Sequence, residues 1–211
     1  MNKNQLEHLG DALGQKAGIT QVDIIGSQSI HAHCDTPPAT VLRSIECDIL
    51  VKTDREGGWL AGFIREHFGS GSAYEKEKGV FAEAIPRHRA VPLALPSDWE
   101  GRTKPLKLGS LTAFCLEPHD YAVTKLNANR PKDRQFLQEA LACGLIGKEE
   151  IQKRIAELPS SELKAELSQR LATLLETELR SGSKERASFP PSFLHPPGGG
   201  EMPRKPEGYS R

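Results

Sequence analysis

Glu46 and Asp48 stand at i and i+2 in the segment SIECDILVK, residues 44–52, where Ile45, Cys47, Ile49 and Val51 alternate with Glu46, Asp48, Leu50 and Lys52. A strand repeats every two residues, so the two carboxylates fall side by side on one face. Acids that close repel unless they are solvated or share a cation, and a hard divalent ion such as Mg²⁺ takes carboxylate oxygens in this way. The plain alternative is a solvent-facing strand edge. Leu50, on the acids' own face, argues that this face is partly covered. Upstream, Gly26-Ser27 ends a short strand, Val22–Ile25, and opens a helix over Ser27–His33. A helix N-terminus presents unpaired N–H groups and a positive dipole end, which suits an anionic phosphate. Taken alone, the pair reads as a turn with an N-cap serine. Set opposite two carboxylates, it reads as a cradle for a metal–nucleotide complex.

Other reactive groups say less. His31, His33, Cys34 and Asp35 crowd five residues, as zinc or a transition metal would want. No second His/Cys cluster completes a four-ligand set, so the segment reads as a helix end running into a polar loop. The four cysteines (Cys34, Cys47, Cys115, Cys143) form no C-x-x-C pair and read as reduced thiols. Lys125, Arg130 and Lys132 offer positive charge to phosphates. They read equally as a solvated helix end paired with Asp120 and Asp133.

These residues need elements to position them. Leu6, Leu9 and Leu13 predict an amphipathic helix over residues 3–16, closed by Gly18. Trp59–Phe68 reads as a helix, Gly79–Ile85 as a strand, Val91–Leu95 as a further extended piece, and residues 106–108 with 111–116 as a hairpin about Gly109-Ser110. Pro118 opens a helix, and Pro131 separates it from another at residues 133–142. Two amphipathic helices, 148–158 and 160–179, follow, the second with a leucine stripe that reads as core. From Gly182 the last thirty residues hold six prolines and five glycines and read as a disordered tail. The fold class expected is α+β, a small mixed sheet flanked by helices, organised as a domain over 1–143, a helical hairpin over 144–181 and the tail over 182–211.

Two motifs carry a resemblance. Gly-Ser before a helix, followed by paired acids on the next strand, resembles the nucleotidyltransferase superfamily of the DNA polymerase beta type. Here the pair is Glu46-Cys-Asp48, and residues 35–40 lengthen the spacing from Ser27. The segment from Leu116 to Asp133, LEPHDYAVTKLNANRPKD, resembles the L-E-P-H-D-L-x-x-S-K-L-x-A-x-R-x-K-D stretch of a bacterial group of nucleotidyltransferase-like proteins of unknown function, related to toxins of abortive-infection systems. The resemblance spans residues 5–141. It implies that Gly26 and Ser27 cradle a triphosphate, that Glu46 and Asp48 hold Mg²⁺, and that Lys125, Arg130 and Lys132 meet phosphates. Active members carry a third carboxylate on a later strand, the candidate base for the attacking hydroxyl. Glu83 is the one acid that the strand 79–85 supplies for it.

At 211 residues, 37% apolar and 27% charged, the chain has the composition of a folded globule. Its formal net charge of zero gives no global field toward nucleic acid. No apolar run reaches the length of a membrane helix and the N-terminus has no signal-peptide pattern, so a cytoplasmic location is expected. Two functions stand side by side. One is Mg²⁺-dependent transfer of a nucleoside monophosphate from NTP to an RNA, protein or small-molecule acceptor. The other is a catalytically degenerate binding module, a toxin–antitoxin component whose partner is a cognate antitoxin or small DNA-binding protein.

Overall fold

A computed structural model of the protein describes residues 1–51, 58–86 and 94–187, with side chains described through residue 176. Residues 1–174 form one compact unit; the second unit, 175–211, is described only as the end of a helix. Among the described residues the elements are α1 (Lys3–Ala17), β1 (Gln21–Ile24), a 3-10 turn (Ser27–Ala32), α2 (Ala39–Arg43), β2 (Glu46–Val51), α3 (Trp59–Phe68), α4 (Ala73–Lys78), β3 (Phe81–Pro86), a second 3-10 turn (Trp99–Arg102), β4 (Lys104–Leu108), β5 (Leu111–Cys115) and helices α5 (Pro118–Ala128), α6 (Pro131–Ala142), α7 (Lys148–Ala156) and α8 (Ser161–Ala187).

The five strands make one mixed sheet in the order β3-β2-β1-β5-β4. β1 runs antiparallel to β2 and parallel to β5, β2 is parallel to β3, and β4–β5 is a hairpin. The parallel β2–β3 pair requires a crossover, and α3 and α4 provide it. This is the α+β class, with the small mixed sheet flanked by helices that the sequence predicts.

The two sheet faces divide by parity. Val22, Ile24, Cys47, Ile49, Val51 and Ala82 point to one side and pack in the core with Leu6, Leu9 and Leu13 of α1 and Ile64 and Phe68 of α3. The 3.6-residue stripe of α1 is therefore met by the two-residue alternation of the strands. α1 lies close because Gly10 carries no side chain: a Cβ there would come within 2.5 Å of Leu108 Cβ. The opposite face carries Glu46, Asp48 and Leu50, and Leu50 is buried, as its place beside the acids predicts.

Several boundaries shift from the sequence reading. The segment after Gly26 is a 3-10 turn rather than an α-helix. α2 and α4 are additional short helices, α4 capped by Ser72 and closed by Gly79 in the left-handed region. The extended piece at 91–95 falls mostly on residues outside those described, with Ala94 and Leu95 in irregular backbone. α8 continues past Gly182 to Ala187; the rest of the Pro/Gly-rich tail, 188–211, lies outside the described residues.

Candidate active site

The acids Glu46 and Asp48 are placed by β2, and β3 adds a third. In the parallel register Asp48 pairs with Glu83 and Glu46 with Phe81. Directly paired residues on neighbouring strands point to the same face, so the three carboxylates share it. Burial, the charge of Asp48 and a hydrogen bond with Glu83 push the Glu46 carboxyl up to about 7. Burial also raises Asp48, opposed by the charges of Lys125, Lys132 and Arg130 and reinforced by Glu83.

Gly26 has a specific role beside them. Its backbone angle, φ −97°, is open to any residue. A Cβ at this position, however, would lie 1.7 Å from Asp48 Oδ2. Asp48 thus rests its carboxylate on the bare backbone of the Gly-Ser turn, and its carbonyl accepts from Ile25 N–H at 3.0 Å. The fully buried Gln28 donates to Ser27 Oγ at 3.2 Å and to the Ser44 carbonyl at 3.3 Å, tying this turn to the start of β2.

Facing the acids is a wall from α5 and α6. A cleft of about 440 Å³ is lined by Ser27, Thr40, Arg43, Glu46, Asp48, Phe81, Tyr121, Lys125, Arg130, Lys132 and Phe136 among others. Lys125 and Arg130 do not pair with Asp120. Both converge on the buried Asp133, Lys125 Nζ at 3.0 Å and Arg130 Nε at 2.6 Å. Burial alone would raise the Asp133 carboxyl, but the hydrogen bond from Arg130 and the charge of Lys125 hold it below the usual carboxylate range. Lys132 lies near enough to lower Glu46 and Asp48. On the rim, Glu139 of α6 fixes α2, accepting from Thr40 N–H and Thr40 Oγ1–H at 2.9 Å each.

The LEPHD stretch does different work. Glu117 caps α5, accepting from His119 N–H at 2.9 Å and Asp120 N–H at 3.2 Å, and its other oxygen lies 2.6 Å from His119 Nδ1. His119 Nε2 accepts from Gly147 N–H at 3.0 Å, which places the ring proton on Nδ1. The fully buried Asp120 takes both Nε–H and an Nη–H of Arg102 at 2.9 Å and faces Arg154 at 3.2 Å. This half of the motif staples α5 to the segment before β4 and to α7. Its second half, Tyr121 to Asp133, builds the cleft.

The His31–Asp35 cluster goes to packing instead. His31 is buried against the Met1 carbonyl, 3.1 Å from Nε2, and burial holds His33 below the usual imidazole range, its Nε2 without a hydrogen-bond partner among the described residues. Sequence reasoning had no signal for Tyr121, Gln28 or Glu139, because each matters through a partner distant in the chain.

Residues 81–180, just under half of the chain, match a family model described as a nucleotidyltransferase of unknown function (DUF6036). The matched stretch contains Glu83, Lys125, Arg130, Lys132 and Asp133; Gly26, Ser27, Glu46 and Asp48 precede it. No curated protein and no solved structure matches the chain. Among the described residues no helix is long and apolar enough to cross a membrane, and all four cysteines are free.

Proposed function

We propose that the protein is a Mg²⁺-dependent nucleotidyltransferase that moves a nucleoside monophosphate from NTP to an acceptor hydroxyl. The observation that carries this reading is the cleft that sets Glu46 and Asp48 of β2 opposite Lys125, Arg130 and Lys132; the β2–β3 register puts the exposed Glu83 beside Asp48, although Glu83 is not itself among the residues lining the cleft. The acceptor oxygen forms its bond to the α-phosphorus, the bond from that phosphorus to the bridging oxygen breaks, and pyrophosphate leaves. Glu83 takes the acceptor proton. Lys125, Arg130 and Lys132 bind the phosphates, and the Gly26-Ser27 turn abuts them from the side of Asp48.

The residues fit a magnesium ion, by their chemistry. Hard carboxylate oxygens lie on one face, and burial first, then the neighbouring Asp48 and Glu83, raise the Glu46 carboxyl, with Lys132 opposing them. Among the described residues no group of three or more His, Cys, Asp or Glu side chains is placed to hold a metal ion. Mg²⁺ is usually held by one or two carboxylates with substrate phosphates completing its shell, which is the arrangement Glu46 and Asp48 would supply. When bound, such an ion neutralises charge on the phosphates.

A second reading, a binding module without turnover, is favoured by one observation: Lys125 and Arg130 already pair with Asp133. The test is transfer of α-labelled NTP with Mg²⁺ and cell extract, for the wild type and for Asp48→Ala. Label transfer that Asp48→Ala abolishes supports the enzyme. Nucleotide binding without transfer supports the module. Equal transfer by both removes Asp48 from the reaction.

A further inference from the structure

Gln28 is fully buried, yet its neighbour in sequence, Ser27, lines the cleft. A glutamine without solvent must find its partners inside the protein. Its Nε2 meets two oxygens, Ser27 Oγ at 3.2 Å and the Ser44 carbonyl at 3.3 Å, one for each N–H. Its Oε1 meets none among the described residues. A buried acceptor left unpaired costs free energy, so the two donations hold the side chain in place against that cost. The direction of each bond follows from the acceptors. A carbonyl has no proton to give, so the end of the amide that faces Ser44 is the NH₂ group. The same nitrogen faces Ser27, so there the hydroxyl oxygen accepts, and its own proton points away from Gln28.

We infer that Gln28 is a positioning residue that fixes the Ser27 hydroxyl as a hydrogen-bond donor to a phosphate oxygen in the cleft. This rests on the nucleotide reading of the cleft. A free hydroxyl rotates to suit any donor or acceptor near it. With one lone pair held by Gln28, that rotation is restricted, and a hydroxyl that accepts one bond donates a stronger one. Ser27 shares the cleft with Lys125, Arg130 and Lys132, so a phosphate drawn in by those cations meets a neutral donor from the turn. The second bond of the amide adds register. Ser44 precedes Glu46 by two residues, so the group that orients the Ser27 hydroxyl also holds the start of the acid-bearing strand. Ordering before binding lowers the cost of association.

The test uses the full chain and Mg²⁺ with inorganic tripolyphosphate, a probe without base or sugar, in parallel with Mg²⁺–ATP. In calorimetric titrations Ser27→Ala, which removes the donor, is expected to weaken both probes by about fivefold, the effect of one hydrogen bond. Gln28→Met keeps the length of the side chain without its N–H groups and is expected to weaken both by about threefold. A double-mutant cycle separates positioning from packing: once Ser27 has no hydroxyl, Gln28→Met changes affinity by less than about twofold. A glutamine that only held the start of β2 would cost as much in the Ser27→Ala background as in the wild type. Thermal unfolding of each variant runs alongside. Should Gln28→Met fail to fold, Gln28→Leu takes its place in the cycle, and Ser27→Ala, at a half-buried position, decides by itself. Wild-type affinity of Ser27→Ala, or full additivity in the cycle, overturns the inference and leaves the nucleotide reading standing. A wild type that binds neither probe overturns both.

Discussion

At the residue scale, the site depends on a side chain that is missing. Gly26 is needed because Asp48 occupies the place its Cβ would take, not for a special backbone angle. Gly26→Ala is therefore expected to fold, to displace the Asp48 carboxylate and to lower transfer by roughly a hundredfold, the cost of a misplacement near 1 Å. Circular dichroism with a labelled-NTP assay checks it; an unimpaired Gly26→Ala would detach Asp48 from the reaction. The pair Glu46/Asp48 is legible from alternation alone, and so is Glu83 as an acid on the strand 79–85. Their meeting is not, because a period of two fixes a face but not which strand lies alongside or in what register. Tyr121 leaves no trace at all: a tyrosine inside a helix looks like core until its ring is found lining the cleft under Lys125 and against Phe136.

At the scale of elements, the turn from α5 to α6 is fixed by one buried carboxylate. Asp133 accepts from Arg130 and Lys125, and its carboxyl sits below the ordinary value. A depressed acid adds stability that is present above its unfolded value, about 3.9, and is lost as pH falls through the lower folded value. Asp133→Asn is accordingly expected to cost about 3 kcal/mol at neutral pH, since two cations lose their buried partner. It should also flatten the fall in stability below pH 4. Urea midpoints of both proteins from pH 2 to 7 check this, and parallel curves would exclude Asp133 as the source. Asp120→Ala should destabilise by a similar amount, about 3 kcal/mol, because Arg102 and Arg154 are left facing an empty position. The Pro118 helix start is readable from sequence, since proline suits the first turn, and so is the break at Pro131, although the helix expected from residue 133 begins at Pro131 itself. The partners of Asp120 are not readable, because arginines that precede and follow α5 in the chain reach it only on folding.

At the scale of the molecule, the compact unit closes at Leu174, and the buried Leu167, Leu171 and Leu174 lie inside it. A chain ended after Leu174 should keep its urea midpoint to within about 1 kcal/mol, whereas one ended before Ser161 exposes those leucines and should lose several times that. A midpoint that collapses on removing 175–211 alone would refute this division. The sheet class was legible because alternating strands and a helical crossover leave few topologies. The division of labour in the Leu116–Asp133 segment was not: half of it holds helices together and half lines the cleft. The central claim, that Glu83 completes the site of Glu46 and Asp48, is tested most directly by Glu83→Gln. Transfer rate and Mg²⁺–ATP affinity are measured on the same preparation. The account predicts a rate lower by about 10²- to 10⁴-fold, the range of a lost general base, with affinity unchanged within about twofold. A Glu83→Gln protein that transfers label at the wild-type rate would contradict it.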